Sequence, residues 1–163
     1  MTTFSYSFAG VQASDMRILF LDDNKERHKA FQQRAIGCIV DYAWDADEAM
    51  TLLGSGKEYD LIMLDHDLGG PEAEGFLLDD GKDGRTVAGF IAEQHPKHEK
   101  ATIVVHSLND AGGMIMISVL RNKGFIAHRV PFAWRMFEKT ENGITFKNDG
   151  TSPKSSEIDL MPD

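Results

Sequence analysis

Carboxylates and imidazoles follow short apolar runs at three places in this chain. Leu21 is followed by Asp22, Asp23 and Asn24, Leu64 by Asp65, His66 and Asp67, and Val105 by His106, Ser107 and Asn109. Like charges brought together are costly unless a cation neutralises them. Oxygen ligation of a divalent metal by Asp22, Asp23, Asp65 and Asp67 is therefore the chemistry this pattern points to. A solvated acidic loop or helix capping would use the same residues, and Asp23 and Asn24 could serve as caps alone. The arrival of Asp22 and Asp65 at two strand ends favours the metal. A neutral imidazole ligates metals and a tuned one moves protons near neutral pH, which makes His66 and His106 catalytic candidates. Two imidazoles beside the acids shift the expected ion from magnesium toward manganese, zinc or iron. His28, His95 and His98 are assigned to ordinary packing or exposure.

A second group has the residue types that hold phosphate. Ser107 and Asn109 precede a helix opening with Asp110, Ala111, Gly112 and Gly113, whose free amides and missing side chains would make a cradle for an anion. Capping by Asn109 or Asp110 is the plainer use of the same residues. Arg129, ahead of Val130, Pro131 and Phe132, would bring a guanidinium suited to phosphoryl oxygens. Arg27 and Arg85 are further phosphate-binding candidates, for which surface solvation is an equal account. Residues 66–82 form a long connection with several glycines and acids, a length that suits a lid or specificity loop.

Five strand-length apolar runs must position these groups: residues 16–21, 38–43, 60–64, 101–105 and 125–130. Helical segments separate them. Asn24 caps the first, which ends before Gly37; Asp45 or Asp47 caps the second, which runs through Ala46, Ala49, Met50 and Leu53 to Gly54. Val87, Phe90 and Ile91 mark the third, ending near His95 and Pro96. Met114, Ile117 and Leu120 are the expected core stripe of the fourth, which closes at Gly124. Alternating strands and helices imply right-handed βαβ units and a parallel sheet covered on both faces. The expectation is a flavodoxin-like, CheY-like α/β three-layer sandwich with strand order 2-1-3-4-5 and its crevice beyond the ends of the first and third strands. Phe4, Tyr6 and Phe8 alternate as an extra N-terminal edge strand. Glu141, Asn142 and Gly143 before Ile144 signal a hairpin where a fifth helix would otherwise follow. The expected division is an extension over 1–15, an α/β domain over 16–132, and a hairpin with a loose tail over 133–163.

The 163 residues suffice for one core. The net charge of −9 opposes long nucleic acid and anionic lipid, and leaves a small phosphorylated ligand, held through a metal or local cations, as the expected partner. No basic, apolar leader or membrane-length apolar run is evident, and the single Cys38 reads as a buried apolar residue. These features make a cytoplasmic location the expectation.

Ile18 to Asn24, Leu64 with Asp65, Ser107, and Arg129 with Val130, Pro131 and Phe132 together resemble a response-regulator receiver domain over residues 16–132. That resemblance implies that Asp22 and Asp23 hold magnesium, that Asp65 accepts phosphoryl, and that Ser107 is the switch hydroxyl. Arginine stands at 129 where receivers carry lysine, and His66, Asp67 and His106 are additional. With those residues the set is similar to the cyclic-phosphate-processing receiver-like family, described as acting on cyclic phosphate ends of RNA or nucleotides and often found in phages and bacterial conflict systems. The activity so implied is a metal-dependent phosphoesterase using magnesium, manganese or zinc, with Asp65, His66, His106 and Arg129 as catalytic groups. The alternatives are a phosphoacceptor signalling module and a protein that binds a cyclic nucleotide without turnover.

Overall fold

The computed structural model describes residues 4–7, 15–68, 81–130, 137–140 and 143–148. In chain order they form β1 (Phe4–Ser7), β2 (Arg17–Leu21), α1 (Lys25–Arg34), β3 (Ile39–Ala43), α2 (Ala46–Leu53) and β4 (Leu61–Leu64). Then come α3 (Gly84–Glu93), β5 (Thr102–Val105), α4 (Asp110–Asn122), β6 (Ile126–Arg129), β7 (Phe137–Thr140) and β8 (Gly143–Asn148). Strands β2 to β6 pair in parallel in the order β3-β2-β4-β5-β6, which is the expected 2-1-3-4-5 arrangement.

The central strands are apolar throughout because both faces are covered: all four residues of β4 are fully buried. Side chains alternate between faces along a strand. Leu19, Leu21, Ile62, Leu64, Ile103 and Val105 meet residues of α2, α3 and α4 on one face. Ile18, Phe20, Leu61, Met63 and Val104 meet Phe31, Ala35 and their neighbours from α1 on the other. Among the described residues the α1 face of the sheet is covered by that one helix, and β7 lies against it.

Helix ends follow the residues expected of them. The side chain of Asn24 accepts from the Arg27 amide at 2.9 Å, and Gly37 beyond the helix adopts a φ of 91°. Of the two candidates for α2, Asp45 is the cap, accepting from Glu48 N–H. Asp83 and Thr86 close a reciprocal capping box on α3. Helix α4 departs from the expected stripe. Met114 is exposed, and Met116 joins Ile117 and Leu120 in the core. Two successive steps of three drift off one face at 3.6 residues per turn, whereas 113, 116, 117 and 120 stay on it. Cys38 is half-buried rather than buried, at the edge of the α1 core.

The extra N-terminal strand exists but does not extend the parallel sheet. Strand β1 pairs antiparallel with β8, and β8 with β7, in a separate three-stranded sheet. Thr140 opposite Gly143 leaves two residues between β7 and β8, which fits the hairpin read from Asn142 and Gly143. Phe8, the connection over 69–80, Pro131, Phe132 and the tail beyond 148 lie outside the described residues. So do the expectations of a lid and a loose tail that fall on them.

Candidate functional site

Register brings the chemistry-bearing residues level. Leu21, Leu64 and Val105 are partners across β2, β4 and β5, so Asp22, Asp65 and His106 follow at one height on three adjacent strands. The chain continues the ladder by one step, with Asp65 N–H donating to Leu21 O and His106 N–H to Leu64 O. Alternation turns these three toward the α1 side, while His66 and Ser107 turn the other way.

On the α1 side three carboxylates converge. Oxygens of Asp22, Asp23 and Asp65 lie within 4.8 Å of one another, the one such cluster of potential metal ligands among the described residues. Between them lies the guanidinium of Arg27, from the first turn of α1. Its Nε donates to Asp22 Oδ2 at 2.7 Å and its Nη2 to Asp22 Oδ1 at 2.9 Å and Asp65 Oδ2 at 3.1 Å. Asp23 Oδ1 is 3.7 Å away. Burial opposes the Arg27 charge, but the Asp22 bonds and the fields of Asp65 and Asp23 outweigh it and hold the cation more firmly. One guanidinium does not offset three carboxylates. Burial first, and the neighbouring Asp22 second, hold the Asp65 carboxyl well above the usual carboxylate range despite Arg27.

Beneath this cluster lie two histidines. His106 is fully buried, stacked on Phe20 at 5.1 Å, with Nε2 donating to Leu21 O at 3.1 Å and Nδ1 3.6 Å from Asp22 Oδ2. Burial pushes it down to about 4, so it is neutral near pH 7. It packs beneath Asp22 inside the fold and has no surface from which to meet a substrate, which removes the basis for its expected role as a general base. His28 fits its assignment to packing. It is buried, bonds the Asp22 carbonyl at 2.6 Å, and stacks on Trp44 at 3.7 Å.

The α4 side is built differently. His66 turns to Asp67, with Nδ1 2.7 Å from Oδ1, and to Asn109. Asp67 is thus not among the converging carboxylates: its side chain is exposed and serves the imidazole. Among the described residues His66 Nε2 is buried without a hydrogen-bond partner, 3.7 Å from Asp83 Oδ2. The expected phosphate cradle is occupied by the helix's own cap, since Gly112 N–H donates to the Asn109 side chain and Gly113 N–H to the Asn109 carbonyl. The two glycines make room instead. A Cβ at 112 would stand 2.4 Å from the His66 ring, and one at 113 would stand 2.9 Å from Arg129 Nε. Ser107 is buried and its hydroxyl accepts from Asn109 N–H. Arg129 donates to the Ser107 carbonyl at 3.0 Å and pairs with Asp110. The cation that meets Asp65 therefore comes from α1, at Arg27, and not from β6, at Arg129. Arg85 pairs with Asp83. Strand parity and the Asn24 cap were the signals that could have placed Arg27: together they set the first turn of α1 over Asp22 and Asp65.

A sequence profile described as "Cyclic-phosphate processing Receiver domain" matches residues 17–122. The chain belongs to this family. No curated protein matches it in sequence. Several solved structures similar to this domain are response-regulator proteins. One from Francisella shares 19% identity at a TM-score of 0.51, covering 73% of this chain and 87% of that one. TrrA from Thermotoga maritima, solved in complex with Mg(2+)-BeF, shares 23% at 0.52, covering 74% and 90%. A Burkholderia pseudomallei response regulator, solved with a phosphorylated aspartic acid, calcium and citrate, shares 19% at 0.50, covering 73% and 61%. The parallel sheet and strand order of this receiver domain are those of its solved neighbours; the hairpin stands where a fifth helix was the alternative. No described helix is long and apolar enough to cross a membrane.

The donor set of the receiver-domain site fits a hard divalent cation. Its ligand atoms are carboxylate oxygens only, gathered at one point with uncompensated negative charge. No imidazole belongs to the group, so the reason for preferring zinc or iron is gone.

Proposed function

We propose that this domain is a phosphoacceptor: Asp65 takes a phosphoryl group from a donor, with a divalent cation of the magnesium or manganese type held by Asp22, Asp23 and Asp65. The observation that carries the reading is the convergence of three carboxylates at the ends of β2 and β4. An ionised Asp65 oxygen would attack phosphorus, and the bond to the leaving group would break with its electron pair leaving on that group. Burial keeps Asp65 protonated, and a dication would reverse this by favouring the carboxylate. When bound, the ion supplies charge neutralisation at the phosphoryl oxygens. The Mg(2+)-BeF complex named for one solved neighbour and the phosphorylated aspartic acid named for another support such a use.

The test is incubation with acetyl phosphate and magnesium, read by intact mass. One added phosphoryl is expected on the wild-type chain and none on Asp65→Asn. Equal incorporation in both, or none in either, overturns the reading.

The earlier expectation of a phosphoesterase acting on a cyclic phosphate is kept as a second reading on two observations: the description of the matched family, and the Asp67-paired His66 with its buried, unbonded Nε2. In that reading His66, oriented by Asp67, moves the proton. A panel of 2′,3′-cyclic nucleotides would be opened by the wild-type chain and not by His66→Ala. Intact substrate with both proteins excludes it.

A further inference from the structure

Arg27 bonds the oxygens that a metal would need. A carboxylate oxygen offers two lone-pair sites. Asp22 Oδ1 spends one on Asn24 N–H at 2.8 Å and the other on Arg27; Asp22 Oδ2 holds Arg27 Nε with His106 beside it. Asp65 Oδ1 accepts His66 N–H, and its Oδ2 accepts Arg27. Among the described residues, three of the five hydrogen bonds that reach these four oxygens therefore come from this one guanidinium. Charge alone would admit both cations, since three carboxylates balance a guanidinium and a dication. Position does not: the guanidinium stands between the carboxylates whose oxygens an ion would share, and two cations in contact repel.

We infer that Arg27 is a built-in counter-ion which a divalent cation must displace, so that cation entry and release of the guanidinium are a single exchange. This rests on the cation reading above and adds what regulates that site. Without the ion, Arg27 makes the buried carboxylates tolerable and closes over Asp65. With the ion, the guanidinium leaves Asp65 and stands free on the first turn of α1, beside the place where phosphoryl oxygens would arrive.

Two readouts test it on the full chain. Calorimetric titration with magnesium or manganese alone compares the wild type with Arg27→Gln and Arg27→Lys, with Asp22→Asn as the control that removes the cation site. Arg27→Gln is expected to bind the cation about tenfold more tightly, the scale of one charge-assisted hydrogen bond released from competition. Arg27→Lys, a point charge without the fork, is expected to fall between and to serve if the glutamine variant does not fold. In the nitrogen-15 spectrum of the wild type, the Arg27 Nε–H signal, protected without metal, is expected to lose protection at saturating magnesium. Cation affinity unchanged or weakened in both variants, or a protected signal persisting in the magnesium-bound protein, overturns the exchange while leaving the cation site standing. Absence of cation binding in the wild type and in both variants overturns the cation reading and the exchange together.

Discussion

The two sides of the strand-end crevice have similar residue types and opposite states of completion. On the α4 side, Ser107, Asn109, Gly112, Gly113, Asp110 and Arg129 bond mostly to one another, with Arg129 Nε alone of their polar side-chain atoms buried without a partner among the described residues. On the α1 side, Asp22, Asp23 and Asp65 share one guanidinium and keep an excess of negative charge. A self-satisfied group stabilises the fold whether or not a ligand is present, whereas an undercompensated one is stabilised by whatever cation arrives. Position at the strand ends is common to both sides. The electrostatic remainder separates them.

Substitutions that break this contrast should differ most in cation binding. Asp22→Asn is expected to weaken magnesium binding by about 100-fold, while Arg129→Met leaves it within about twofold, both by calorimetry. A comparable loss with Arg129→Met would mean that the α4 side belongs to the cation site.

Next in size are the close approaches. A Cβ at Gly84 would meet the Asp65 carbonyl oxygen at 2.1 Å, a backbone atom with nowhere to go. Gly84→Ala is expected to cost about 3 kcal/mol in urea unfolding. Gly112→Ala meets the His66 ring, which can turn, and is expected to cost about 1 to 2 kcal/mol and to disturb the His66–Asp67 pair. Equal costs would indicate that His66 is held as rigidly as backbone.

Acidity gives the third contrast. Asp65 is raised, so its protonated form is favoured by folding. Its contribution is full below the unfolded carboxylate value of about 4 and is lost as pH rises toward the folded value. His106 is lowered to about 4, so its contribution is full above the unfolded value of about 6.5 and is lost as pH falls toward 4. Metal-free Asp65→Asn should show a flatter fall of melting temperature between about pH 4 and pH 8, and saturating magnesium should do the same to the wild type. An unchanged slope over that range in both would remove Asp65 as its source. The smallest effect is expected from Asn109→Ala, about 1 kcal/mol from the lost cap of α4, with cation affinity unchanged.

Much of the fold was legible because its signals are local. Leu61 to Leu64 is apolar without interruption, as a strand buried on both faces must be, and Asn24, Asp45 and Asn109 announce helix starts by side-chain geometry. Asp22 and Asp65 could be placed together because parallel register carries strand ends to one edge. The partners were harder to read. Asp67 chooses His66, Arg129 chooses Asp110 and the Ser107 carbonyl, and Arg27 chooses the carboxylates. Each choice depends on which face a side chain leaves from and which competitor lies nearest in space. The same holds for β1, whose alternation marked it as a strand while its partner lay at the far end of the chain.

That pairing has a kinetic consequence. Each parallel strand finds neighbours a few dozen positions away, but Phe4 waits for Asn148. Contacts so remote close late, because the entropy of the intervening loop must be overcome first. During synthesis the parallel layer is therefore expected to be assembled while β1 still lacks its mate, and the small sheet becomes the latch that shuts last.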